Sequence, residues 1–225
     1  MNSFITLFIK DIKIEFRSKD TLVLYSMLGV LLSVVIASGV SSSFVDRKSI
    51  LQLFPTFIWL VFLLTGSFAI SKIQEYEFSN GAYKRLLVSG VSLSKMFLAK
   101  VFSGVIVICF GFLVSLLALS VLLNVSILSE LPVLLVLLLV AAIGFCSLSV
   151  LISPIALQSK MSSLLLPLMI LPLLFPLFYG LLELSSQYFT QQHNIFSSMW
   201  FTLLVGLDVL YLLLGMNLYQ HVLRE

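Results

Sequence analysis

Apolar positions in this chain gather into six long runs, preceded by one short segment where apolar and charged residues share a helical rhythm. In residues 2–18, Phe4, Phe8, Ile12 and Phe16 recur every fourth position, with Ile5 and Ile9 beside them. Lys10, Lys13 and Arg17 fall toward the other side. This spacing predicts an amphipathic helix, too polar to cross a bilayer and suited to lie in its interface. A cytosolic helix running straight on into the first span is the other reading. The six runs lie near Thr21–Val40, Phe54–Ile70, Met96–Leu123, Leu131–Ser153, Leu164–Leu182 and Ser198–Leu218. A spanning helix needs about 20 apolar residues, so each run is read as one span. Only a few polar residues around Asn124–Glu130 part the third from the fourth, which predicts a tight helical hairpin.

Composition narrows the class. Hydrophobic residues make up 60% of the 225 residues and charged residues 10%, against roughly 45–50% and about 25% in soluble domains. So few charges cannot clothe a water-facing surface. Disorder needs low hydrophobicity and high charge, and a membrane β-barrel needs alternation at every second residue. The expected fold is therefore all-α and polytopic, a single transmembrane domain over residues 1–225. Six spans use about 120 residues, leaving no room for a sizeable soluble domain, so any ATPase is expected on another chain. The first 40 residues look like a secretory signal, with basic residues, an apolar run and then Ala37-Ser38-Gly39. Their apolar run is longer than the 7–15 residues usual for a cleaved signal, so a retained first span is expected.

Charge sets orientation. Eleven of the thirteen basic residues fall on one side of the predicted spans: Lys10, Lys13, Arg17, Lys19, Lys72, Lys84, Arg85, Lys95, Lys100, Lys160 and Arg224. Arg47 and Lys48 fall on the other. The basic side is expected to be cytoplasmic, which with six spans puts both termini there. The net charge of +3 is read as this orientation signal and not as affinity for nucleic acid.

The polar interruptions hold the candidate chemistry. The longest, Ser71–Lys95, carries the Asn80-Gly81 turn signal and then Ala82–Val88, a short amphipathic stretch exposing Lys84 and Arg85. It reads either as a docking site for a cytoplasmic partner or as a solvated connection. In the fifth span Pro167, Pro172 and Pro176 each remove a helical hydrogen bond. That predicts a broken, partly re-entrant helix lining a pathway, or else a bent packing helix. Asp208, near the middle of the sixth span, is a functional candidate because charge at that depth is expensive. It reads as paired with a cation such as Lys100, as neutral, or as a structural contact. Lys100 itself is placed to snorkel, Glu183 to end the fifth span, and Trp59 and Trp200 to anchor the outer interface. Cys109 and Cys146 lack CxxC spacing and read as small hydrophobes. His193 and His221 fall on opposite sides, so they form no common site; a lone His193 in the outer loop reads as simply polar, or as a ligand for haem or metal brought by a partner. There is no Walker A, HExxH or GxSxG sequence, so no catalytic or metal-ligating residue is assigned.

Three stretches resemble a known family. Phe54-Pro55-Thr56-Phe57-Ile58-Trp59-Leu60, continuing through Glu77 and Asn80-Gly81 to Phe97-Leu98-Ala99-Lys100-Val101, is similar to that family's second span, its cytoplasmic loop and the following Leu-Ala-Lys-Val. Leu171-Pro172-Leu173-Leu174-Phe175-Pro176-Leu177 is similar to its Leu-Pro-Leu-x-x-Pro-Leu. Asp208-Val209-Leu210-Tyr211, Leu214-Gly215 and Leu218-Tyr219 are similar to its closing segment. The family is haem exporter protein B, CcmB, the membrane subunit of the cytochrome c maturation ABC transporter. The likeness departs at Lys84, where the family commonly has an acid, and at Ser89-Gly90-Val91, where proline is common.

The resemblance implies six spans of ABC-2 type after an interfacial helix, in a bacterial inner-membrane permease. It implies a separate CcmA-like ATPase, CcmC-like and CcmD-like membrane proteins and a CcmE-like haem chaperone as partners. A homodimer is expected, because each ATPase supplies one nucleotide domain. No cofactor is expected on the chain itself; haem would be transported or partner-held, and ATP would sit on the partner. The loop residues Glu75, Glu77, Asn80, Gly81, Tyr83, Lys84 and Arg85 are then candidates for ATPase coupling, and Trp59, Pro172, Pro176 and Asp208 for a pathway or gate. Two rival readings stand beside this one: a permease for another substrate such as a lipid or glycan, and a non-transporting scaffold that relays ATPase motion.

Overall fold

The computed structural model describes residues 3–18, 20–43, 46–79, 92–157, 162–191 and 195–222, and among these residues it has seven helices and one short 3₁₀ turn. They are α1 Ser3–Ser18, α2 Asp20–Ser42, α3 Arg47–Ser79, α4 Leu93–Leu122, α5 Leu131–Leu157 and α6 Ser162–Gln191, then the 3₁₀ turn Ile195–Ser197 and α7 Met199–Val222. The six helices α2 to α7 are long and apolar enough to cross a membrane. Inside a bilayer no water is available to backbone groups, so a span must close its own hydrogen bonds as a helix. The serines obey the same rule. Ser26, Ser33, Ser67, Ser71, Ser115, Ser147 and Ser149 each donate their hydroxyl to the carbonyl four residues back, at 2.6–3.0 Å.

Local chemistry sets the breaks and tolerates the prolines. Asn124 has φ 52°, a left-handed conformation that asparagine accepts more readily than most residues. It ends α4, with Val125 N–H closing back on Ser120 O at 2.9 Å. The α4–α5 hairpin predicted around Asn124–Glu130 is present. Pro154 cannot donate to the carbonyl of Val150, and the Ser153 hydroxyl takes that carbonyl at 2.9 Å instead. Pro167, Pro172 and Pro176 all lie inside a continuous α6. The expectation of a broken or re-entrant fifth span is therefore corrected to an unbroken helix.

Helix α3 also departs from expectation. Its 33 residues make a rod of about 50 Å, against about 30 Å of hydrocarbon. The segment from Ser71 is not a loop at its start: the helix carries on through Lys72, Gln74 and Glu75 to Ser79.

The helices pack around α4 and α5, while α2 and α7 lie outermost and bury the smallest share of their residues. Close approach fixes the α2–α4 register. A Cβ on Gly111 would fall within the Tyr25 ring, and one on Gly29 would collide with the Ser115 hydroxyl. Both contacts share one offset, so the two helices run parallel. Helix α3 runs antiparallel to α4, with Trp59 stacked on Phe112 at 5.8 Å and Ile70 beside Gly104. Phe62 sits at the middle of the core, with ring contacts to Trp59, Phe112, Phe145 and Phe178 at 5.4–5.8 Å. Hydrogen bonds that cross between helices include Ser33 to Ser115 O, Trp59 to Ser185, Ser94 to Met216 O and Tyr211 to Leu173 O, at 2.8–3.3 Å.

Gly111→Ala is expected to lower thermal stability in detergent by about 1–3 kcal/mol, through overpacking against Tyr25. Adding Tyr25→Leu is expected to recover part of that loss, and a double-mutant cycle of unfolding temperatures measures the coupling.

Candidate functional site

Where α3 passes the lysine-rich ends of α1 and α4, a polar cluster forms. Asp11 and Glu15, one helical turn apart, are buried on the inward face of α1 beside Lys100 of α4 and Gln74 of α3. Ser103 joins them around a pocket of about 10 Å³, room for a single water. Lys10 reaches over the edge to Asp11 at 2.9 Å. Lys100 is only 5% exposed. It does not snorkel, because α1 covers it and supplies acids in place of water. Burial pushes the Glu15 carboxyl above its ordinary value of 4.5; a hydrogen bond from Thr21 restrains the rise, Asp11 adds to it and Lys100 opposes it.

The same packing redraws α1. Phe4 and Phe8 do face inward with the two acids, and Phe4 meets Phe102 edge-on at 6.3 Å. Ile5, Ile9 and Phe16 stay exposed. The sequence pattern put Lys10, Lys13 and Arg17 on the other side and left Asp11 and Glu15 unassigned, yet both acids share the face of Phe4 and Phe8 by their three- and four-residue spacing. That spacing was the signal for them.

Trp59 was expected at the outer interface. It is 1% exposed, and its indole N–H donates to the Ser185 hydroxyl of α6 at 2.8 Å. It belongs to the aromatic core and anchors nothing at a surface. Trp200 is half-buried against Tyr179. Asp208 is buried with its Oδ1 against Gly144 of α5, next to Leu177 of α6, and that oxygen has no hydrogen-bond partner among the described residues. Lys100 is taken up by the α1 acids, so the suggested Asp208–Lys100 pair is not made. One turn on, Tyr211 ties α7 to the proline-rich part of α6 through Leu173 O. Pro172 and Pro176 are exposed on α6.

The structure therefore does not gather Trp59, Pro172, Pro176 and Asp208 into one cavity. An open groove of about 290 Å³ lies between α3 and α6, lined by Thr56, Trp59, Leu60, Leu63, Leu64, Phe178 and Leu182. It offers no cation to a carboxylate-bearing ligand. Of the coupling candidates, Glu75 is half-buried near the end of α3 and Glu77 falls in its last turn. Asn80, Gly81, Tyr83, Lys84 and Arg85 lie outside the described residues, as does His193. Among the described residues no group of three His, Cys, Asp or Glu could hold a metal. Cys109 and Cys146 are free thiols within the packed helices.

Set beside known protein families, residues 2–225 match CcmB protein. The chain belongs to the CcmB family. A comparison with curated proteins gives no match. Family membership makes the chain the membrane component of a haem-export ABC transporter for cytochrome c maturation. In this CcmB-family chain the polar cluster of α1, α3 and α4 adjoins the stem of the segment read as the coupling loop.

Two outcomes are expected at the cluster. Lys100→Met leaves two buried acids without their nearest buried cation and is expected to lower stability by about 3–5 kcal/mol, with partial recovery in Lys100→Met/Glu15→Gln. Between pH 4.5 and its raised value, folded Glu15 holds a proton that the unfolded chain has lost. The stability tied to neutral Glu15 is thus full below that window and is lost as pH rises through it. Glu15→Gln is expected to flatten this fall in thermal unfolding followed from about pH 4 to 8.

Proposed function

We propose that this chain is the inner-membrane permease subunit of a cytochrome c maturation ABC transporter, converting ATPase motion into helix movement. The observation that carries the reading is α3, a continuous helix from the buried Trp59–Phe62 core to Ser79, at the threshold of the coupling segment. A CcmA-like ATPase grips the segment from Glu75 to Arg85. Two ATPases close on ATP, and two copies of this chain receive the push. Because α3 is a rod locked into the aromatic core, the push tilts the spans as rigid bodies, a hinge or shear motion. The basic residues favour a cytoplasmic location for this end and for both termini. CcmC-like and CcmD-like proteins and a CcmE-like haem chaperone complete the assembly.

Haem is the cargo or is held by those partners. One observation favours the second form, in which this subunit relays motion to release haem-loaded chaperone. The middle of a single copy is filled by Trp59, Phe62, Phe112, Phe145 and Phe178. The groove outside this core has about 290 Å³, at the lower limit of small-ligand sites. A lipid or glycan permease would share the fold and the drive but would co-purify with a different ATPase.

Deleting residues 80–88 leaves α3 whole and is expected to abolish co-purification of the ATPase and maturation of cytochrome c, while the protein still inserts in the membrane. Mass spectrometry of the purified complex checks it. Normal ATPase binding by the deleted form would sink the coupling reading. Absence of the haem chaperone and its handler from the wild-type complex would favour the lipid or glycan permease.

A further inference from the structure

Below the junction of α1 and α2 an open groove of about 370 Å³ is lined by Phe16, Leu22, Val23, Ser26, Met27 and Phe110. Its one polar lining side chain, Ser26, already donates to Leu22 O at 2.8 Å. The walls therefore ask for hydrocarbon and offer no unmet hydrogen bond. Phe16 meets Phe110 edge-on at 6.4 Å and closes one end. Leu22, Val23, Ser26 and Met27 are in the first two turns of α2, so the trough sits at acyl-chain depth, at the lysine- and arginine-rich end of the spans.

Beside this trough stands a cationic shelf. Lys13 and Arg17 are exposed on α1, about 60° and about 100° round the helix from Phe16 at 3.6 residues per turn. The acids of α1, Asp11 and Glu15, are turned inward and buried. Among the described residues the outward side thus presents cations with no acid paired to them, next to the exposed apolar line of Ile5, Ile9 and Phe16. An apolar trough joined to a shelf of one charge sign is complementary to an amphiphile with an anionic head.

We propose that this groove holds an acyl chain of one anionic phospholipid, with the lipid phosphate met by Lys13 and Arg17. A zwitterionic lipid fits less well, because its own cation has no partner on the shelf. The bound lipid would brace the α1–α2 junction from outside while the Asp11–Glu15–Lys100 cluster braces α1 from within.

The test uses the full chain, with any co-purifying partners, equilibrated with vesicles of equal parts phosphatidylglycerol and phosphatidylcholine and read by native mass spectrometry. Wild type is expected to retain one phosphatidylglycerol per chain in preference to phosphatidylcholine. Lys13→Gln/Arg17→Gln is expected to lower that preference roughly tenfold, and Lys13→Arg/Arg17→Lys to keep it. Ser26→Leu, which narrows the trough, is expected to reduce retention of both lipids. Equal retention of the two lipids by wild type overturns the proposal, as does unchanged preference in the double glutamine variant. Displacement by inorganic phosphate alone would make the site a phosphate site and overturn the acyl-chain part. A change in oligomeric state without a change in lipid retention in Ser26→Leu would assign the groove to a second copy and overturn it too.

Discussion

A hydrocarbon layer offers backbone polar groups no water, and every other feature of this molecule follows from that constraint. It makes each span a helix, and it turns serine hydroxyls such as those of Ser67, Ser115 and Ser149 back onto carbonyls of their own helix. Few polar contacts remain to hold one helix to another. Cohesion must come from shape: Tyr25 against the bare backbone of Gly111, Asp208 and Leu177 against Gly144, and the aromatic rings around Phe62. In lipid, small residues and close backbone approach supply what the hydrophobic effect supplies in water.

The same layer has a thickness, and α3 exceeds it. A rod of about 50 Å across about 30 Å of hydrocarbon must emerge. Its far end carries Lys72, Gln74 and Glu75, which are too polar for the acyl region, and Gln74 is where α1 and α4 gather around it. Lys100 can be a lysine there because α1 brings Asp11 and Glu15 with it. Were α1 to leave, the cation would need water, and the acids would be released to the interface. Helix α1 is thus bound to the core by charge on one side and exposed on the other.

Long-range order was legible in the sequence where one physical rule acts alone. Span number and the α4–α5 hairpin follow from apolar length and from Asn124, and the structure has both. The end of α3 was not legible, because Lys72 and Glu75 look like loop chemistry to a hydropathy reading, while nothing local breaks the helix before Ser79. Trp59 misled for a related reason. Its type is common at interfaces, but the Ser185 hydroxyl that satisfies its N–H lies on another helix and is invisible to spacing. The three prolines of α6 pointed to a break, yet the helix runs on through all of them, with Pro172 and Pro176 exposed. Lys100 and Asp208, each the rare charge in its span, invited pairing with one another, whereas each is held by a different neighbouring helix. Of the coupling residues, Glu75 and Glu77 are joined to α3, and the others lie outside the described residues.

These placements bear on how force would travel. The Lys10–Asp11 contact sits at the edge, with Lys10 41% exposed, and exposed pairs contribute about 0–1 kcal/mol. Buried charge clusters behave differently: removing one member costs about 3–5 kcal/mol. Under the proposed coupling, a push on the end of α3 would meet a weak contact at the rim and a strong one within, at Lys100 and the two acids. The strong contact decides which parts move together. Helix α1 would travel with α3 and α4 rather than slide over them, and the slip would occur where α1 faces lipid. Under the proposed coupling, the moving body would be α3, the inner end of α4 and α1, turning about the aromatic core that holds α3 at Trp59 and Phe62.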